Sequence, residues 1–169
     1  MSSPIPLDML ALSLVKHGPP STFKILTLPT PQFTSPDHFL IKVHAASINP
    51  TDVNAASGTF KILINILMPM KLGYDVSGTI IGIGDHVTKF KIGDEVFTCL
   101  TIQQRGSIAE YALTMEDILM CKPMNLTHEE AASIPMAGMT ALQGFEKIEG
   151  GLEGKPVLVP GGCTYSPIL

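Results

Sequence analysis

Apolar and polar positions are most sharply patterned over Leu72–Val96, LGYDVSGTIIGIGDHVTKFKIGDEV, and the rest of the chain is arranged around that stretch. The pattern predicts two strands, Val76–Ile83 and Glu95–Leu100. Gly84-Asp85 and Gly93-Asp94 are turn dipeptides between them that tolerate positive φ. Between the turns, Val87 and Phe90 are placed to reach back to a core while Lys89 and Lys91 stay in water. Upstream, Met9–Val15 and Phe23–Leu28 predict strands. His38–Ala45 predicts a third, with Phe39, Ile41 and Val43 on one face and Leu40, Lys42 and His44 on the other. Pro50 suits an early helical position, so Thr51–Ala56 reads as a short helix that Gly58 ends. Downstream, Ser107–Leu113 and Ile118–Cys121 predict two more strands. Thr127 and Glu130 spell a capping box at the start of a helix that Ser133-Ile134-Pro135 breaks. A second helix is expected from about Met136 to Ile148, with Met139, Leu142 and Phe145 spaced as core packing.

Composition narrows the class. At 169 residues the chain fits one domain, or one domain and a fragment. A net charge of −4 with 15% charged residues leaves no basic footprint for nucleic acid. The apolar run Ile62–Met70 is interrupted by Asn65 and Pro69 and is too short to span a bilayer, so no membrane partner is expected. The three cysteines, Cys99, Cys121 and Cys163, form no C-x-x-C pair and spell neither a zinc knot nor a redox dithiol. With no basic residue before Lys16, a signal peptide is not expected, and a reducing, cytoplasmic location is.

The wording of three ordered stretches is more specific than their periodicity. Ala45–Val53 (AASINPTDV), Leu72–Val96 and Gly106–Phe145 together resemble the medium-chain dehydrogenase/reductase superfamily, in its zinc-independent, quinone-oxidoreductase-like branch. The resemblance covers most of the chain from about Lys24 to Val159. It implies a mainly β fold with short helices (α+β), a GroES-like, partly open β-barrel over residues 1–148. Residues 149–169 would be a linker and the first strand, Val157–Val159, of a Rossmann-type nucleotide domain. The text then runs Pro160–Leu169 without the family's G-x-G-x-x-G, which reads as a truncation.

The resemblance also implies a chemistry. In zinc-dependent relatives the ligands fall at Asn49, at the His of a Gly-His-Glu motif that reads Gly73-Tyr74-Asp75 here, and at about Ala137; none is a zinc ligand in this chain, and no metal is implied. The cofactor implied is NADPH, which gives hydride to the electron-poor carbon of a quinone-like or α,β-unsaturated carbonyl compound. Asn49 matches a residue near the nicotinamide, and its other reading is a cap at the helix start. Thr140, with Gly138 in the same Ala137–Ala141 run, matches the cofactor side, although a threonine hydroxyl often bonds its own helix instead. Asp52 is expected as a helix-turn or packing partner. Tyr74 is the candidate proton donor, a core tyrosine or water being the alternatives, because family tyrosine positions are Phe60 and Asn54 here. The partner implied is a small-molecule carbonyl substrate; the family's dimer contacts lie on the nucleotide domain and predict no oligomer. The chain alone is expected to be weakly active or inactive. The other readings are a stand-alone GroES-like interaction module, with Ile62–Met70 as its sticky surface, or a non-functional truncation product.

Overall fold

The computed structural model describes residues 4–59, 67–148, 153–154 and 156–157. Eight strands and three α-helices follow in the order β1 (Asp8–Leu14), β2 (Phe23–Pro29), β3 (His38–Ser47), α1 (Pro50–Ser57), β4 (Met70–Lys71), β5 (Asp75–Ile83), β6 (Glu95–Cys99), β7 (Tyr111–Met115), β8 (Met120–Cys121), α2 (His128–Ala132) and α3 (Pro135–Glu146). They form two open antiparallel sheets, β7-β3-β5-β6-β8 and β2-β1-β4. The segment before β7 stitches them together. Leu12 N–H donates to Ile108 O at 2.8 Å and Glu110 N–H to Leu10 O at 3.1 Å on the small sheet, and Val43 N–H donates to Glu110 O at 2.9 Å on the large one. The result is the mainly β, partly open barrel with short helices that the wording implied.

Each sheet buries its own core. Phe39, Ile41, Val76, Ile80, Val96, Leu100, Ala112 and Leu119 cluster on the large sheet, with Val87 and Phe90 packed against them. The Phe39 and Phe90 rings meet edge to face at 5.6 Å, while Lys89 and Lys91 are exposed as the pattern required. Leu14, Ala55, Ala56, Met70 and Leu72 form a second cluster between the small sheet and α1. Gly58 ends α1 at φ +86° and donates to Ala55 O at 3.2 Å.

Four expectations are corrected. Phe39, Leu40 and Ile41 are all buried, so the start of β3 is covered on both faces. β3 lies between β5 and β7, and Leu40 abuts the Gly82 position together with Phe33. Met139 and Leu142 are 46% and 58% exposed, so neither is core packing. In α3 only Pro135 is buried, because the helix is anchored at its first turn. Gly84 is not at positive φ; a Cβ there would stand 2.1 Å from Pro36 O, and close approach explains the glycine. Gly93 does adopt φ +95°.

The strand predicted over Ile118–Cys121 is a single 3-10 turn, Glu116–Ile118, followed by the two-residue β8. Phe60, Ile62–Ile66, and the Leu158–Leu169 part of the expected nucleotide-domain strand and turn lie outside the described residues.

Candidate active site

β3 carries a register slip against β5: Val43 faces Gly78, but Ala45 faces Ser77, leaving His44 without a partner in the ladder. This bulge re-aims the last residues of β3 so that Ser47 lies opposite Asp75, at the first position of β5. The chain then leaves the sheet at Asn49 and enters α1.

Asp75 is fully buried, and three elements converge on its carboxylate. Asn49 Nδ2 donates to Oδ2 at 2.8 Å and Ser47 Oγ donates to the same oxygen at 3.0 Å. The Met136 backbone N–H, in the first turn of α3, donates to Oδ1 at 3.0 Å. Thr140 Oγ1 in turn donates to Met136 O at 2.7 Å. A continuous hydrogen-bond chain therefore runs Asn49–Asp75–Met136–Thr140. It links Asn49 and Thr140, two of the residues that the resemblance matched to the cofactor side, and the third, Gly138, lies between Met136 and Thr140 in α3. Gly138 N–H closes on Ile134 O at 2.7 Å, and a Cβ there would crowd Ile134 Cγ2 at 3.3 Å.

Asn49 occupies the N-cap position of α1, and its backbone N–H donates to Asp52 Oδ2 at 2.9 Å. Its side-chain Nδ2 donates to Asp75, while the side chain also takes part in the reciprocal capping box with Asp52. The cap reading of Asn49 holds: the residue starts the helix through its backbone, while its side-chain Nδ2 is held by Asp75. The Thr140 hydroxyl does bond its own helix, and the residue is exposed.

Asp52 is the helix-turn partner expected of it. It is 3% exposed, and its Oδ1 accepts the Gly73 N–H at 2.7 Å, tying α1 to the residue before Tyr74. Burial pushes its pKa up, against the hydrogen bonds from Asn49 and Gly73 that pull it down. A carboxyl raised in the folded state adds most stability below its ordinary pKa, and that contribution is lost as pH rises through the higher folded value. Wild type compared with Asp52→Asn in urea melts from acidic to neutral pH is expected to lose ground as pH rises. A difference that grows with pH contradicts this sign.

Tyr74 is 6% exposed and belongs to neither core cluster nor the Asp75 chain. Burial holds its phenol above the usual range, and the Arg105 charge opposes that shift. It stays protonated at neutral pH. Cys99, opposite Asp75 in the β5–β6 ladder, is pushed up to about 12 by burial first and the Asp75 charge next. It remains a thiol, which removes thiolate chemistry from the site. Among the described residues no group of three or more His, Cys, Asp and Glu is arranged to hold a metal ion.

Asp75 is the residue that sequence reasoning missed as a site element. Its signal was present: an acidic residue opening an otherwise apolar strand needs a buried partner.

Two open antiparallel sheets with short helices make a GroES-like architecture. The alcohol dehydrogenase GroES-like domain family matches residues 35–125. This chain belongs to that family, within the medium-chain dehydrogenase/reductase superfamily. It is 37% identical over 165 residues to 2-methylene-furan-3-one reductase of Solanum lycopersicum, a match covering 94% of this chain and 42% of that protein. It is 35% identical to the chloroplastic NADPH-dependent alkenal/one oxidoreductase of Arabidopsis thaliana, again over 94% of this chain and 42% of that one. Among solved structures, the quinone oxidoreductase of Coxiella burnetii superposes with a TM-score of 0.78 at 38% identity, covering 84% of this chain and 45% of that chain. The chain thus spans about two fifths of the length of these curated relatives. Among the described residues no helix is long and apolar enough to cross a membrane.

Proposed function

We propose that this chain supplies the substrate-side domain, residues 1–148, of an NADPH-dependent oxidoreductase that reduces a quinone-like or α,β-unsaturated carbonyl compound without zinc. The observation that carries the reading is the Asn49–Asp75–Met136–Thr140 chain, which holds an amide and a hydroxyl in fixed relation at one end of the barrel. The names of the similar proteins support the same chemistry. The cofactor's contribution, when bound, is hydride. Asn49 and Thr140 would hold its nicotinamide end, and Gly138 leaves room for its approach. Asp75 and Ser47 take the Asn49 amide hydrogens, which fixes the orientation of the amide at the start of α1. Tyr74 would supply the proton. A cytoplasmic location belongs to the proposal, and the free Cys99 and Cys121 suit a reducing compartment.

Chemical-shift mapping tests this reading. A soluble naphthoquinone titrated into the isotope-labelled chain is expected to move the Asn49 and Tyr74 amides, and NADPH those of Gly138 and Thr140. Shifts confined to β1 and β2 in both titrations count decisively against it.

A second reading, a stand-alone interaction module, is favoured by one observation. Ile48, Val53, Met139 and Leu142 on and beside α1 and α3 are between 46% and 67% exposed. Strictly monomeric elution at high concentration, with no partner captured, counts against it.

A further inference from the structure

Two cavities outside the Asp75 site share three lining residues: Lys71, Gln103 and Arg105. The larger, of about 470 Å³, adds Thr34, Thr101 and Gln104 to them. The smaller, of about 300 Å³, adds the apolar Leu28, Leu67, Pro69 and Met70. Neither is lined by an Asp or Glu, and no described residue forms a salt bridge with Lys71 or Arg105. Among the described residues two cations thus share a recess without a counter-charge, an arrangement that like-charge repulsion disfavours unless an anion joins them.

The recess is built rigidly. Gly106, at φ +124°, lies so close to Lys71 that a Cβ would stand 2.6 Å from the Lys71 Cβ, so the lysine stem is pressed against the backbone beside Arg105. Gly106 N–H donates to Gly73 O at 2.7 Å, fixing the loop to the strand entrance. Arg105 Nη1 donates to Ile102 O, which pins one arm of the guanidinium. Its Nε is buried and has no hydrogen-bond partner among the described residues. Burial, then the Arg105 charge, lowers the Lys71 pKa, as expected of an ammonium that lacks an anionic neighbour.

From this geometry we propose that Lys71, Arg105 and Gln103 bind the head of an amphipathic oxyanion, a carboxylate or phosphate, whose apolar tail lies along Leu28, Leu67 and Met70. One arm of the guanidinium is spent on Ile102 O, and its other N–H donors remain for a two-point hold on such a head. Lys71 adds a point charge, and the Gln103 amide adds a neutral donor. The proposal concerns a site separate from the Asp75 chain and does not depend on hydride transfer.

The test is a calorimetric titration of the 169-residue chain at low salt with octanoate, octyl phosphate, inorganic phosphate and 1-octanol. At least one of the two alkyl anions is expected to bind about tenfold more tightly than 1-octanol, and tighter than inorganic phosphate. Arg105→Gln and Lys71→Gln, each checked for an unchanged thermal melt, are each expected to weaken it by about tenfold. Arg105→Lys is expected to restore only part of the loss. No anion binding at millimolar concentration, equal binding of octanol, or full affinity in Arg105→Gln overturns the site. Inorganic phosphate binding as tightly as octyl phosphate overturns the apolar arm. The wild-type comparison of octanoate with octanol decides the matter even where a variant fails to fold.

Discussion

Asp75→Ala is expected to lower the unfolding free energy by about 3–4 kcal/mol, the largest single-residue effect outside the apolar cores. The carboxylate accepts from Asn49, Ser47 and the Met136 backbone, so three donors lose their acceptor at once. A buried donor left without a partner costs about 1–3 kcal/mol, and the total stays below three such costs because the Ser47 and Asn49 side chains can turn towards water. The Met136 N–H has no such freedom. Urea unfolding at constant m-value measures the loss. Asp75→Asn, which keeps the volume and one oxygen but sets an amide donor against donors, is expected to cost about half as much. Asn49→Ala in the Asp75→Ala background is expected to add far less than it does alone, because the pair acts as a unit. A loss under about 1 kcal/mol for Asp75→Ala would remove the carboxylate as the organiser of the site. The same variant frees the amide of Asn49, so it is also expected to scatter the ligand-induced shifts around the helix start.

Gly78→Ala is expected to cost about 3 kcal/mol, at the top of the usual range for overpacking. A Cβ at Gly78 would fall 2.1 Å from the Lys42 carbonyl oxygen and 2.7 Å from Ile41 Cγ2. The first of these is backbone of the neighbouring central strand and cannot move without opening the β3–β5 ladder. That ladder sets the bulge, and the bulge sets Ser47 against Asp75, so the site is expected to loosen with it. Gly93→Ala makes the contrast. Nothing lies within 4 Å of its Cβ, and its cost comes only from φ +95°, about 1 kcal/mol. The order of thermal midpoints, wild type above Gly93→Ala above Gly78→Ala, checks both reasons for glycine in one experiment. A reversed order refutes the close-approach account.

Much of the architecture was legible before any coordinates. The β5 and β6 strands, the return of Val87 and Phe90 to the core, the Gly58 stop and the Thr127–Glu130 box all follow from local rules. In the box, Glu130 N–H donates to Thr127 Oγ1 at 3.2 Å and Thr127 N–H to Glu130 Oε2 at 2.8 Å. Each such feature depends on residues a few positions apart, and local sequence carries that information in full.

The features that were not legible are all long-range. Leu40 alternates as an outward residue, yet a central strand can be covered on both faces, and strand order is not written in periodicity. Met139 and Leu142 have helical core spacing, but whether a helix face meets a partner depends on what else packs there. Asp75 shows the limit most clearly. Its residue type and its place in Gly73-Tyr74-Asp75 were plain, but its partners lie 28, 26 and 61 positions away.

Sequence by itself therefore determined the family, the longer strands, the Gly58 stop and the Thr127–Glu130 cap, because those rest on short-range sterics and on wording that matches over many positions. Only tertiary structure decided which polar groups meet: Asn49 with Asp75, Asp75 with the start of α3, and Lys71 with Arg105 in a recess without a carboxylate. The physical reason is that a buried charge is placed by the chain closing on it from several directions, and that closure exists only once the sheets have formed.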